Sequence, residues 1–265
     1  MAASPTATKL LAGLAAEIRR TAESPEPDQV HDLRVAIRRF MQILAILDSS
    51  TGDIRGTVKR MMSFAGKVRD CDIAIKLTRK AGASEQFLRR LQRRRGAAER
   101  VLILELEKWS ALDTPAKWRS KLGPAHPQEN MSRALSKAVR RVFKRGAAAE
   151  DSEKKLHSLR IAVKKLRYTI DLLDRPSATR TEQIQDLQRR LGDINDYETA
   201  RKIATQETAS KRVVAELRAK QEKKIQSFHT FWEENFADKK REWKRATFQA
   251  GAPSRPRSRE RQGAA

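Results

Sequence analysis

Histidine, arginine and lysine recur at helical spacing in two stretches of this sequence. The first reads His31-x-x-Arg34-x-x-x-Arg38-Arg39, and the second His157-x-x-Arg160-x-x-x-Lys164-Lys165-x-Arg167-Tyr168. At roughly 100° per residue, Arg34 and Arg38 fall close beside His31. His157, Arg160, Lys164 and Tyr168 share one side of the second stretch, with Arg167 at its margin. Cations three and four residues apart repel each other by roughly a few tenths of a kcal/mol per pair, yet both stretches keep them. A linear polyphosphate presents closely spaced anionic groups along a flexible chain, and a cationic row on a rigid helix matches it without reading any sequence. Arginine offers a forked pair of hydrogen bonds to phosphate oxygens, and lysine a point charge. Histidine donates one N–H when neutral and two when protonated, so its titration near neutrality makes binding pH-dependent.

The opposite faces explain what positions these rows. Leu33, Ile37, Phe40, Leu44 and Leu47 lie across from His31, and Leu159, Val163, Leu166, Ile170 and Leu173 across from His157. Each stretch is therefore an amphipathic helix with an apolar stripe to bury, and Arg39 and Lys165 flank the stripes. The two stretches are copies at an offset of 157 − 31 = 126, and a second match keeps the same spacing: Gly66-Lys67-Val68-Arg69-Asp70 against Gly192-Asp193-Ile194-Asn195-Asp196. Two matches at one ungapped spacing identify an internal duplication. The glycines are expected to allow close helix contact. Asp70 and Asp196 are expected to accept hydrogen bonds from Arg34 and Arg160 and fix their rotamers, in preference to touching a ligand or metal. Arg69, Arg189 and Arg190 complete the candidate binding cations.

Helical periodicity runs through the chain, and no strand alternation appears. Breakers predict helices ending near 23, then at 28–48 with Asp28 as N-cap, 53–80, 85–109, 129–148, 152–174, 181–206 and 209–235. Pro115, Gly123, Pro124 and Pro127 mark 110–128 as a linker. The expected architecture is all-α: two duplicated four-helix bundles, 6–109 and 129–236, about a pseudo-twofold axis. Residues 237–265 form a basic tail, expected to be largely disordered and richest in Pro, Ser and Arg from Gly251.

Composition bounds the partners. The 265 residues carry 57 Lys+Arg against 33 Asp+Glu, a formal net charge of +24. Such an excess collects polyanions: nucleic acid, polyphosphate or an anionic membrane. Cys71 is the only cysteine, which fits a reducing compartment. No apolar stretch approaches the roughly 20 residues of a membrane span, and the start lacks the basic region and cleavage site of a signal peptide, so a cytoplasmic protein is expected.

These motifs resemble the CHAD family, the conserved-histidine α-helical domain, over roughly residues 6–236. Its Arg-Asp-x-Asp element appears as Arg69-Asp70-Cys71-Asp72, and its Leu-Gly-x-x-Asn-Asp element as Leu191-Gly192-Asp193-Ile194-Asn195-Asp196. The resemblance implies a basic central groove, polyphosphate binding without chemistry or cofactor, and association with polyphosphate granules. One departure is that Met41-Gln42 stand where the second half has Arg167-Tyr168, which predicts tighter binding by the second half. Non-specific nucleic-acid binding is the alternative, although no helix-turn-helix, zinc-finger or RNA-recognition signature is present. A phosphoanhydride hydrolase is the third reading. His31-Asp32 resembles a metal phosphohydrolase pair, but the second half has Ser158 there, and His126 and His229 form no ligand set. Some members of the family carry a triphosphatase strand, Glu-x-Glu-x-Lys; Glu105-Leu106-Glu107-Lys108 lacks that spacing. The run Arg89–Arg95 is read mainly as a solvated face.

Overall fold

The computed structural model describes residues 5–47, 51–111, 114–122, 127–149, 152–173 and 177–243, and every regular element among them is a helix. Four long helices come first: α1 (Pro5–Glu23), α2 (Pro27–Ile46), α3 (Gly52–Lys80) and α4 (Glu85–Ala111). A short α5 (Thr114–Lys121) follows, then α6 (Pro127–Gly146), α7 (Glu153–Ile170), α8 (Ala178–Gln206) and α9 (Lys211–Asn235). Pro27 opens α2, where its missing N–H costs nothing, and Asp28, expected as the cap, sits in the first turn. Gly82 ends the α3–α4 turn at φ 77°, a left-handed conformation that glycine adopts without strain. Ser210 caps α9 by accepting from the Val213 N–H at 3.4 Å.

The apolar stripes anticipated in α2 and α7 are buried. Leu33, Ile37, Phe40 and Leu44 join Leu14 and Ile18 of α1 and Val58 and Met61 of α3 in a first core. Leu159, Val163 and Leu166 join Val139 and Val142 of α6 and Leu187 of α8 in a second. The helices pack in matching pairs: α1 on α2 as α6 on α7, and α3 on α4 as α8 on α9. Copies also meet each other, α2 against α7 and α3 against α8. The far ends of α3, α4, α8 and α9 share a third core, from Ile73, Phe87 and Leu91 to Ala200, Ile203 and Leu217. The halves are thus fused along their long helices.

Polar ties reinforce the fusion. Gln42 donates to the Thr169 hydroxyl at 2.9 Å. The arginine run of α4, expected as a solvated face, is largely structural: Arg90 donates to the Glu207 carbonyl at 3.1 Å, and Arg94 pairs with the Glu207 carboxylate at 2.6 Å. Arg95 instead braces the first half, pairing with Asp72 of α3 at 2.6 Å and with Glu99 of its own helix.

Two segments differ from expectation. The region taken as linker carries α5, whose buried Trp118 stacks on Phe40 at 6.1 Å and meets Trp109 edge-on at 5.6 Å. The tail begins ordered, because Trp243 is fully buried and stacks on Phe236 at 5.5 Å. In both places an indole removes a large apolar surface from water, which outweighs the entropy of fixing a proline-rich or polar stretch. The Pro-, Ser- and Arg-rich end from Gly251 lies outside the described residues, as does His126.

The α6 C-terminus meets α9 at a point where only glycine fits. A Cβ on Gly146 would come within 1.9 Å of the Trp232 ring. Gly146→Ala is therefore expected to lower stability by about 2 kcal/mol through overpacking, read from denaturant unfolding.

Candidate functional site

The four helices that meet their own copies enclose a cavity of about 470 Å³. His31, Arg34 and Arg38 of α2 line it from one side, and His157, Arg160, Lys164, Arg167 and Tyr168 of α7 from the other. Arg69 and Asp70 of α3 and Arg189, Gly192 and Asp196 of α8 complete it. The two histidine rows, far apart in sequence, thus converge on one space. The apolar stripes are buried on the far side of each helix, so the polar rows have nowhere else to face.

Seven arginine and lysine side chains (Arg34, Arg38, Arg69, Arg160, Lys164, Arg167, Arg189) face three aspartates (Asp70, Asp193, Asp196). One aspartate is already engaged from outside, Asp193 with Lys224 at 2.8 Å. The remaining excess charge is held in partial burial, and the ionisation of these groups records the cost. Burial, then the charges of Arg160, Arg38 and Arg34, push the Lys164 ammonium down to about 6. Burial and Arg38 hold Arg34 down to about 10, still charged at neutral pH. Burial also lowers Arg160, against the pull of Asp196. It lowers His31 too, helped by Arg69. Asp70 and Asp196 are both raised, because desolvation outweighs the attraction of Arg34 and Arg160.

The expected hydrogen bonds from Arg34 to Asp70 and from Arg160 to Asp196 are absent: neither pair lies within 4.0 Å, and the carboxylates act at longer range. Arg34 instead leans on α3, its Nη1 lying 3.5 Å from the Met62 carbonyl. Gly66 makes that possible, because a Cβ there would stand 2.9 Å from Arg34 Nη1. Its copy Gly192 does no such work; a Cβ there meets nothing, and the residue simply lines the cavity. The Nε of Arg160 is buried with no protein acceptor.

Three further candidates lie elsewhere. Arg39 and Lys165 are exposed and outside the cavity, because each sits about 100° around its helix from the row. Arg190 turns to α9, donating to the Ser227 hydroxyl at 2.7 Å and lying 4.3 Å over the Phe231 ring. Its neighbour Arg189 does face the cavity, paired with Asp186 at 2.9 Å. The departure in the first half has a structural use: Gln42 ties the halves together, while Arg167 and Tyr168 line the cavity. Asp32 points outward and pairs with Arg20 at 2.9 Å, and His229 lies against Phe228 at 5.1 Å. Glu105 of α4 pairs with Arg60 of α3 at 3.3 Å.

Two residues that sequence reasoning passed over orient the second histidine. His157 Nδ1 lies 3.2 Å from Asn195 Oδ1, and the Asn195 amide donates to the Thr199 hydroxyl at 3.3 Å. The contact holds the imidazole in place at the cavity wall. Asn195 was visible in the Leu-Gly-x-x-Asn-Asp element, one residue before Asp196.

No helix among the described residues is long and apolar enough to cross a membrane. The CHAD domain model matches residues 6–205. No curated protein matches the chain. Among solved structures, the CHAD domain from the plant Ricinus communis superposes at TM-score 0.61 and 18% identity, covering 94% of this chain and 93% of that one. PptA from Streptomyces chartreusis superposes at TM-score 0.58 and 16% identity, covering 93% and 100% respectively. A family match over most of the chain, with two all-helical neighbours spanning nearly all of it, shows that this protein belongs to the CHAD domain family.

Proposed function

We propose that this protein binds inorganic polyphosphate in the cavity between α2, α3, α7 and α8, without catalysing a reaction on it, and thereby associates with polyphosphate granules. The observation that carries the reading is the convergence of both histidine–arginine rows on one cavity holding more cations than carboxylates. The CHAD membership points the same way. A narrow space between four helices suits a single chain of phosphates, which brings charge at every unit and needs no base pockets. A nucleic-acid duplex is too thick to enter and could touch only the rim.

Each class of residue has a physical role. Arg34, Arg38 and Arg160 supply forked donors to phosphate oxygens. Lys164 and His31, both held down in the empty cavity, gain a proton as the anion arrives, because a nearby negative charge favours the cationic form. Asp70 and Asp196 temper the repulsion among the cations while the cavity is empty. Arg167, over the Tyr168 ring at 5.6 Å, adds a cation that the first half lacks, which favours tighter contact by the second half.

Replacing Arg34, Arg38, Arg160 and Lys164 together by Ala is expected to weaken long-chain polyphosphate binding at least about hundredfold, since each charge-assisted contact is worth about 1.5 kcal/mol or more. Helicity by circular dichroism should be unchanged. Normal binding by this variant would place the site elsewhere. Phosphate release from polyphosphate with Mg²⁺ by the wild type would overturn the non-catalytic part of the reading.

Lys164 makes a separate prediction about pH. In the empty cavity its ammonium titrates at about 6, so at neutral pH it is mostly uncharged. A bound anion raises that value, so binding draws in a proton throughout the window above about 6, and affinity falls as pH rises through it. Lys164→Arg is charged throughout and should flatten the dependence. The measurement is affinity against pH for both proteins, with the other titrating groups of the cavity common to the two. Equal slopes would remove Lys164 from the linkage.

A further inference from the structure

Outside the cavity, a dense run of positive charge unpaired with carboxylates among the described residues lies on α6. Arg133, Lys137, Arg140, Arg141, Lys144 and Arg145 fall in one sector of that helix at roughly 100° per residue, opposite the apolar stripe. The stripe, Leu135, Val139, Val142 and Phe143, is buried in the second core. Arg133, Lys137, Arg140 and Lys144 are exposed, and Arg141 and Arg145 half-buried. None of the six is within 4.0 Å of a carboxylate among the described residues. Exposed cations elsewhere often are, as with Arg20 at Glu17 and Asp32, Arg94 at Glu207, or Arg218 at Glu222.

The duplicated helix supplies an internal control. α1 buries Ala7, Leu11, Leu14 and Ala15 in the pattern in which α6 buries Leu135, Val139, Val142 and Phe143. In that register the six cations of α6 correspond to Pro5, Lys9, Ala12, Gly13, Ala16 and Glu17. The α1 face therefore carries one cation and one acid. A solvated face needed only to keep this fold soluble would have no reason to be charged in one copy alone.

The α6 face also adjoins the cavity wall. Lys165 directly follows the cavity residue Lys164, and its ammonium feels Arg141, Arg145 and Lys137 besides its own partial burial. Arg145 donates to the Ser158 carbonyl at 2.7 Å, next to the cavity residue His157. At the other edge of the sector, Arg140, Lys144 and Lys240 ring a hollow of about 430 Å³ over Phe143 and Trp232.

We propose that the outer face of α6, with Lys165, is a second lane for the same anionic polymer: a polyphosphate chain too long for the cavity leaves it past His157 and Lys165 and continues across α6. This rests on the cavity reading above. Contacts on the lane are made by a chain already held, so they act at high effective concentration and reward length. Short chains gain nothing from them. The first half offers no equivalent track, so the chain runs out in one direction.

The test compares tripolyphosphate, long-chain polyphosphate and duplex DNA on the full chain, by calorimetry at several salt concentrations. The variant combines Lys137→Gln, Arg140→Gln, Arg141→Gln and Lys144→Gln. It spares the cavity, and it spares Arg145, which holds the α7 backbone; an unchanged Tm confirms folding. Expected is a loss of at least tenfold for the long chain, with a salt slope shallower by about 0.7 per lost phosphate contact, and tripolyphosphate affinity within twofold of wild type. Unchanged long-chain binding, or equal losses on both phosphates, with the wild type binding both, overturns the lane and leaves the cavity standing. Loss of DNA binding with long-chain polyphosphate intact overturns the lane in favour of a nucleic-acid face. A wild type that binds neither phosphate removes the cavity reading, and the lane with it.

Discussion

Like charges held together in a space partly removed from water are the constraint on which this structure turns. Desolvation alone disfavours the charged form of any group there. Lys164 and Arg34 are pushed down, and Asp70 and Asp196 are pushed up even though cations stand nearby. Neither Arg34 with Asp70 nor Arg160 with Asp196 closes into a tight pair, and the cavity's cations outnumber its carboxylates. On the proposed reading, the missing counter-charge comes from outside, carried by a polyanion. Stability and affinity therefore pull in opposite directions at these positions, as they do at many functional sites.

The rest of the fold prevents the repulsion from relaxing. Helices carrying the rows would separate if they were free to move, and three apolar cores keep them together. The third core is the decisive one, because it joins α3 and α4 to α8 and α9 and so couples the two halves. Arg90 and Arg94 add ties at that end, and Gln42 adds one between α2 and α7. A large part of the arginine content is thus mortar. The chain's charge of +24 overstates the number of cations available to a ligand.

Much of this was legible from residue spacing. The duplication at one fixed offset, the opposed polar and apolar faces of α2 and α7, and the histidine–arginine rows are all periodic features, and periodicity survives folding. What escaped depended on the neighbours a residue meets. Arg189 and Arg190 are adjacent in sequence, and only packing decides that one faces the cavity and the other α9. Gly66 and Gly192 occupy matching motif positions, yet Arg34 fills the space beside one and open cavity lies beside the other. Breakers correctly marked the ends of the long helices but hid α5 and the ordered start of the tail, where Trp118 and Trp243 outweigh local propensity. The α6 row has clear four-residue spacing from Arg133 to Arg145; looking only for features shared by both halves passed over a feature of one.

The location of the bound anion is the point on which everything else depends, and a crystal structure of the protein with tripolyphosphate tests it most directly. Phosphate density between α2 and α7, within hydrogen-bond distance of Arg38, Arg160 and Lys164, is the predicted result. Phosphate bound only on the outer surface, with water between the two histidine rows, would contradict it.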